Sequence, residues 1–144
     1  MFSIHVVPFG TERYEQTKAC RNTVLRVPIG LHLNEKDTQG EERQIHIAAV
    51  DDRNHVAGTI IIKPLSETRA KFRQMAVMDH AQGRGLGRQL VTFAETLARQ
   101  KGFQEAELHA RITAQGFYEK LGYKIEGEPF TEVGLPTILM KKQL

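Results

Sequence analysis

The chain has a single cysteine, Cys20. No internal disulfide can therefore close and no cysteine-based zinc cluster can assemble, so the expected compartment is reducing and no metal is expected. Long apolar runs are missing as well. Met1-Phe2-Ser3-Ile4-His5 has no basic segment leading into an apolar stretch, and the longest run elsewhere, Thr59-Ile60-Ile61-Ile62, is strand-sized. Neither a secretory leader nor a membrane span is read from this, and a cytoplasmic protein without a membrane partner is expected. There is little excess of either charge: 20 Lys and Arg face 17 Asp and Glu, for a net +3. The basic residues are scattered and form no aromatic-interleaved patch, which argues against a nucleic-acid partner. A small positive excess suits an anionic ligand, and equally an ordinary soluble surface. Repeats, low-complexity tracts and linkers are also absent. What remains is 144 residues, 40% hydrophobic and 26% charged, enough for one domain over residues 1–144 with a packed core.

Ile4, Val6 and Val7 before Pro8 suggest a first strand, and Thr11 can cap a helix running to about Arg26, where Val27-Pro28-Ile29-Gly30 ends it. Residues 34–44 carry no apolar side chain and read as a solvated loop able to move over a site, with Glu35, Asp37, Glu41 and Glu42 on a solvated face. Ile45–Val50 and His55–Lys63, joined by Asp51-Asp52-Arg53-Asn54, read as a hairpin, and Lys71–Val77 as a further strand. From Leu86 to Lys101 the residues Leu86, Leu90, Val91, Ala94, Leu97 and Ala98 share one helical face, closed by Gly102. Glu105–Ala110 reads as a strand, Ala114–Leu121 as a short helix, and Tyr123–Ile125 and Thr137–Met140 as two closing strands. This order predicts an α/β (α+β) domain: a mixed sheet with helices on both faces.

The most informative stretch is Met75-Ala76-Val77-Met78-Asp79-His80-Ala81-Gln82-Gly83-Arg84-Gly85-Leu86-Gly87-Arg88, which sets three glycines between a strand and a long amphipathic helix. Unpaired N–H groups and the positive end of the dipole meet at a helix N-terminus, so an anion is stabilised there, and glycines let a pyrophosphate approach closely. Arg84 and Arg88 either add charge to that site or are solvated. Glycines needed only for a tight turn would read the same way. A Gly-Lys-Ser/Thr sequence is absent, which removes magnesium-assisted phosphoryl transfer. The Gly-x-Gly-x-Gly spacing and its late position fit a dinucleotide fingerprint poorly.

Gln82-x-x-Gly85-x-Gly87 resembles the Arg/Gln-x-x-Gly-x-Gly/Ala loop of the GNAT superfamily of N-acetyltransferases. Ala114-Gln115-Gly116-Phe117-Tyr118-Glu119-Lys120-Leu121-Gly122-Tyr123 is similar to that family's Ala-x-x-Phe-Tyr-x-x-x-Gly-Phe/Tyr helix. The resemblance spans most of the chain and is strongest over residues 71–123. It implies a mostly antiparallel sheet and acetyl-CoA as co-substrate. It also implies that the amides of Gln82, Gly83, Arg84, Gly85, Leu86, Gly87 and Arg88 hold the pyrophosphate, that a strand bulge frees backbone groups near Met75, Ala76 and Val77 for the pantetheine arm, and that a homodimer is common. The tail Glu132-Val133-Gly134-Leu135-Pro136-Thr137-Ile138-Leu139-Met140 looks like the ElaA-like branch, although Thr137 stands where that branch has His and Val27-Pro28-Ile29-Gly30 where it has a Glu-Gln motif. Arg111 stands where many relatives have an Asn that touches the cofactor arm. It can meet a phosphate or an acidic group instead, and a surface arginine is the simpler reading.

Acetyl transfer to an amine needs no enzyme nucleophile. It needs placement, a polarised carbonyl, a base for the amine and an acid for the departing thiolate. Tyr118, aligned with the family's tyrosine, is the candidate acid, a phenol being a weak proton donor. Phe117 reads as core or cofactor-wall packing. Glu67 and His109 are the candidate bases. The expected reaction is acetylation of a primary amine on a small molecule or peptide. The competing readings are a non-catalytic acyl-CoA sensor and an enzyme for longer acyl chains, which the volume beside Met75 and Phe117 would distinguish.

Overall fold

The computed structural model describes residues 1–144, and one seven-stranded sheet runs through it in the order β1-β2-β3-β4-β5-β7-β6. The elements are β1 (Ser3–Val7), α1 (Glu12–Arg21), α2 (Glu35–Thr38), β2 (Ile45–Val50), β3 (Val56–Pro64), β4 (Arg69–Val77), α3 (Leu86–Gln100), β5 (Glu105–Arg111), α4 (Gln115–Lys120), β6 (Lys124–Glu132) and β7 (Leu135–Gln143). Every neighbouring pair is antiparallel except β4–β5, which pair in parallel only from Arg69↔Glu105 to Phe72↔Leu108. Beyond Phe72 and Leu108 the two strands part, and the cleft opens there. The expected mixed, mostly antiparallel sheet is what forms.

Thr11 caps α1 as its sequence predicts, the Oγ1 accepting from Tyr14 N at 3.3 Å. The helix then continues to Arg26 as a wider π turn over Asn22–Arg26, and a 3₁₀ turn at Val27–Ile29 stops at Gly30, whose φ of 77° suits glycine. On the opposite face of the sheet, Leu86, Leu90, Val91, Ala94 and Ala98 of α3 join Ile47, Ala49, Ile60, Ile62 and Phe72 in the main core. Gly58 is required beneath α3: a Cβ there would stand 2.9 Å from Leu90 Cδ1 and 3.1 Å from Ala76 O.

Two expectations need correction. The closing strands are far longer than read, because β6 and β7, nine residues each, form a hairpin through Val133 and Gly134, both at positive φ (45° and 79°). The segment 34–44 is not a solvated loop. Asn34 and Asp37 form a reciprocal capping box on α2, a 3₁₀ turn follows at Glu41–Arg43, and Glu41 is 0% exposed. Glu35, Lys36 and Glu42 are exposed as expected, but ion pairing buries Glu41 and half-buries Asp37.

Candidate active site

Glu41 lies at the centre of a buried ionic cluster. It accepts from Arg21 Nη1 (2.9 Å) and Nη2 (2.6 Å), Arg73 Nη1 (2.6 Å) and the Tyr14 hydroxyl (2.7 Å). Burial alone would push its carboxyl up, but hydrogen bonds from Arg21, Tyr14 and Arg73 outweigh that and hold it down at about 2. Burial and the Glu41 carboxylate push the Tyr14 phenol up in turn. Asp37, also read as solvated, pairs with Arg26 at 2.9 Å.

The cluster reaches the cleft through β4. Arg21 Nε donates to Gln74 Oε1 at 2.6 Å, and Gln74 has φ 50° where an extended strand residue would be negative. The β3–β4 register shifts at this point, from Ile61↔Arg73 to Thr59↔Ala76, so Gln74 and Met75 form a bulge. The bulge thus falls one residue ahead of the Met75-Ala76-Val77 stretch to which the resemblance pointed. A bulged residue is unpaired, which leaves backbone groups free toward the cleft.

The loop after β4 turns on its glycines. Gly83 and Gly85 adopt φ of 77° and 78° with open space around each, while a Cβ on Gly87 would stand 3.4 Å from Phe117 Cζ and 3.5 Å from Met75 Cε. The first two glycines serve backbone conformation and the third a close approach of α3 to α4. Gln82 Nε2 donates to Val77 O at 3.0 Å, tying the loop to the end of β4. Leu86 is buried in the core, so only its backbone faces the loop, while Arg84 and Arg88 are exposed. α3 begins after Gly85 with no side-chain cap on its first N–H groups.

A cavity of about 690 Å3 opens at the parted strands, and Met75, Gln82, Tyr118, His109, Arg111 and Glu132 all line it. Of the three tyrosines, Tyr14 and Tyr123 give their hydroxyls to Glu41 and Glu95, and Tyr118 gives its own to no protein group. The Tyr118 ring packs edge-on to Phe117 and Tyr123, with centroids 5.0 and 5.9 Å away. Burial pushes its phenol up to about 12, so the proton stays in place at neutral pH. His109 Nδ1 stands 3.1 Å from Glu132 Oε1, and its ring meets Phe130 edge-on at 5.1 Å. A carboxylate only accepts, so this contact keeps the proton on Nδ1 and leaves Nε2 able to take one. Glu67 is not brought to the site: it is exposed in the turn between β3 and β4, at the end of β4 away from the bulge, and does not line the cavity. Arg111 is no free surface arginine; it is half-buried, lines the cavity and donates to Leu25 O at 3.0 Å.

Sequence reasoning missed Lys71, Arg73 and Glu132 on the cavity wall. The alternation Lys71-Phe72-Arg73 in a strand was an available signal, because it puts both cations on one face. Glu132 gave none, since it arrives by a hairpin twice as long as its apolar pattern suggests. No group of three or more His, Cys, Asp or Glu is placed to hold a metal ion.

The fold thus combines a parted parallel pair, a bulge on one of its strands and a glycine-rich turn opening a helix. The chain belongs to the acetyltransferase (GNAT) domain family, whose model matches residues 29–144. It is 34% identical over 137 residues to the Bacillus subtilis protein YyaT, covering 89% of this chain and 92% of that one. A Lactobacillus plantarum protein of known crystal structure superimposes with a TM-score of 0.88 at 28% identity, over 99% of this chain and 98% of the other. A GNAT family acetyltransferase from Elizabethkingia anophelis, solved with acetyl-CoA bound, shares the fold with a TM-score of 0.76 at 21% identity, covering 99% of this chain and 98% of that one.

Proposed function

We propose that this chain moves the acetyl group of acetyl-CoA to a primary amine by direct attack, with Tyr118 as general acid and His109 as general base. The amides from Gln82 to Arg88 bind the donor's pyrophosphate, and the bulge at Gln74 and Met75 offers its free backbone groups to the pantetheine arm. His109 Nε2 takes a proton from the amine as its nitrogen bonds to the acetyl carbon, while Glu132 orients the ring and stabilises the imidazolium that forms. Tyr118 gives its proton to sulfur as the C–S bond breaks. Since burial has raised the phenol, the proton moves in concert with thiolate departure rather than before it.

The observation carrying this reading is that Tyr118, the one tyrosine hydroxyl without a protein partner, opens into the same cavity as His109 on the parted strand. Steady-state acetylation of an amine panel, with acetyl-CoA affinity measured by calorimetry, tests it. Tyr118→Phe is expected to lower kcat roughly 100-fold or more, the usual scale of acid catalysis, with acetyl-CoA affinity within about twofold of wild type. His109→Gln is expected to lower kcat without altering donor binding. Unchanged turnover in either variant removes that residue from the mechanism.

A further inference from the structure

We infer that the acceptor is an anionic amine, whose carboxylate or phosphate groups lie in a cationic groove that continues the acceptor side of the cavity. This deepens the transfer reading above and rests on it. The groove encloses about 630 Å3 and is lined by nine residues, five of them the cations Lys36, Arg43, Lys63, Lys71 and Arg73, with no carboxylate among the nine. Lys36, Lys71 and Arg73 also line the main cavity, so the two spaces are continuous. None of the loop residues from Gln82 to Arg88 lines the groove, which separates it from the donor's pyrophosphate site.

The charges are not all committed elsewhere. Arg73 is fully engaged, by Glu41, Gln44 and the Asp37 carbonyl, and Arg43 meets only Glu42 at 3.4 Å. Lys36, Lys63 and Lys71 take part in none of the ion pairs of the fold; the same holds for Lys101, Lys120 and Lys124 elsewhere, but only the first three converge on one groove. Lys71 is half-buried between the two spaces, and its ammonium is pulled below its usual range by burial and by Arg73 and Lys63, against the opposing pull of Glu132. Clustered cations with an interior member cost stability through mutual repulsion and desolvation, a cost that an anion in the groove offsets. The lining holds no aromatic side chain on which bases would stack, which favours a carboxylate- or phosphate-bearing amine over single-stranded RNA.

Three short peptides sharing an N-terminal alanine and differing in two following residues, glutamates, glutamines or lysines, test the inference. A fourth with phosphoserines distinguishes phosphate from carboxylate. Each is assayed for acetylation and, with the protein saturated in CoA, for calorimetric binding at low and high salt. The expected result is at least a tenfold kcat/KM preference for an acidic peptide over the glutamine peptide, falling with salt and collapsing in a Lys36→Gln/Lys63→Gln double variant. Both of these side chains are exposed, so the fold survives their replacement. Equal or better use of the glutamine or lysine peptide would overturn the inference. Selective, salt-sensitive binding of an acidic peptide that is never acetylated would leave the groove standing and overturn the transferase reading instead.

Discussion

Replacing Glu41 with glutamine keeps the side-chain volume but removes the only carboxylate facing Arg21, which is 0% exposed. The amide offers one oxygen where four donors now converge, and its own NH2 group faces guanidinium N–H groups. Removing one partner of a buried ion pair costs about 3–5 kcal/mol, because the remaining charge stays buried and unpaired. The proton equilibrium gives a second measure. Glu41 falls from the ordinary 4.5 to about 2 on folding, a difference of about 3 kcal/mol. A depressed carboxyl contributes that stability in full above 4.5 and loses it as the pH drops toward 2. Urea unfolding of both proteins, followed by far-UV circular dichroism between pH 7 and pH 2.5, checks the two together. Glu41→Gln is expected to be less stable by about 3–5 kcal/mol at pH 7, a large part of the ~5–15 kcal/mol of a typical domain. The gap should narrow below pH 4.5, since only the native protein loses this contribution there. A gap under ~1 kcal/mol at pH 7, or one that does not change with pH, would refute the assignment of a buried, charge-neutralising role.

Gly85→Glu is expected to abolish saturable acetyl-CoA binding in calorimetry. Open space surrounds its Cβ direction, so the side chain meets no clash, although φ of 78° strains any residue but glycine and far-UV circular dichroism must show the variant folded; its negative charge is set at the start of α3, where the phosphates are to bind. Retained affinity would overturn the cradle. Gly58→Ala is expected to destabilise by about 1–3 kcal/mol in the same urea assay, because its methyl meets Leu90 Cδ1 and the Ala76 carbonyl at 2.9 and 3.1 Å. An unchanged midpoint would mean that α3 moves away without cost.

The elements carrying strong periodicity were legible. The apolar stripe from Leu86 to Ala98 marked α3, and Thr11 marked the start of α1, because local chemistry and tertiary packing ask for the same residues there. The glycine loop was legible for a similar reason: positive φ at Gly83 and Gly85 and close contact at Gly87 each leave glycine as the residue of choice. The acceptor half was not legible. Gln74 at φ 50° carries no sequence mark of its bulge, and the charges at Arg21, Glu41 and Arg73 are separated by 20 and 32 residues, so their pairing exists only once the chain has folded. The polar segment 34–44 misled for that reason. Its lack of apolar residues was read as exposure, when one of its carboxylates is matched by two guanidinium groups from other elements.

The same cluster accounts for why the cleft opens where it does. A non-glycine residue in the left-handed region costs of order 1–3 kcal/mol and persists only where its surroundings hold it. Gln74 is held from the α1 side by Arg21 Nε, while the two Nη groups of that guanidinium are fixed by Glu41. Glu41 is held in turn by the 3₁₀ turn that follows the capped α2, and Arg73, the residue before the bulge, bonds Glu41, Gln44 and the Asp37 carbonyl. β4 is therefore pinned at Arg73 and Gln74, immediately after Phe72, where it leaves the parallel pairing with β5. The segment that contributes Lys36 and Arg43 to the cationic groove also carries Glu41, which holds the bulge through Arg21 and Arg73. On the proposed transfer reading, Arg73 is therefore the residue shared by the groove and the bulged strand.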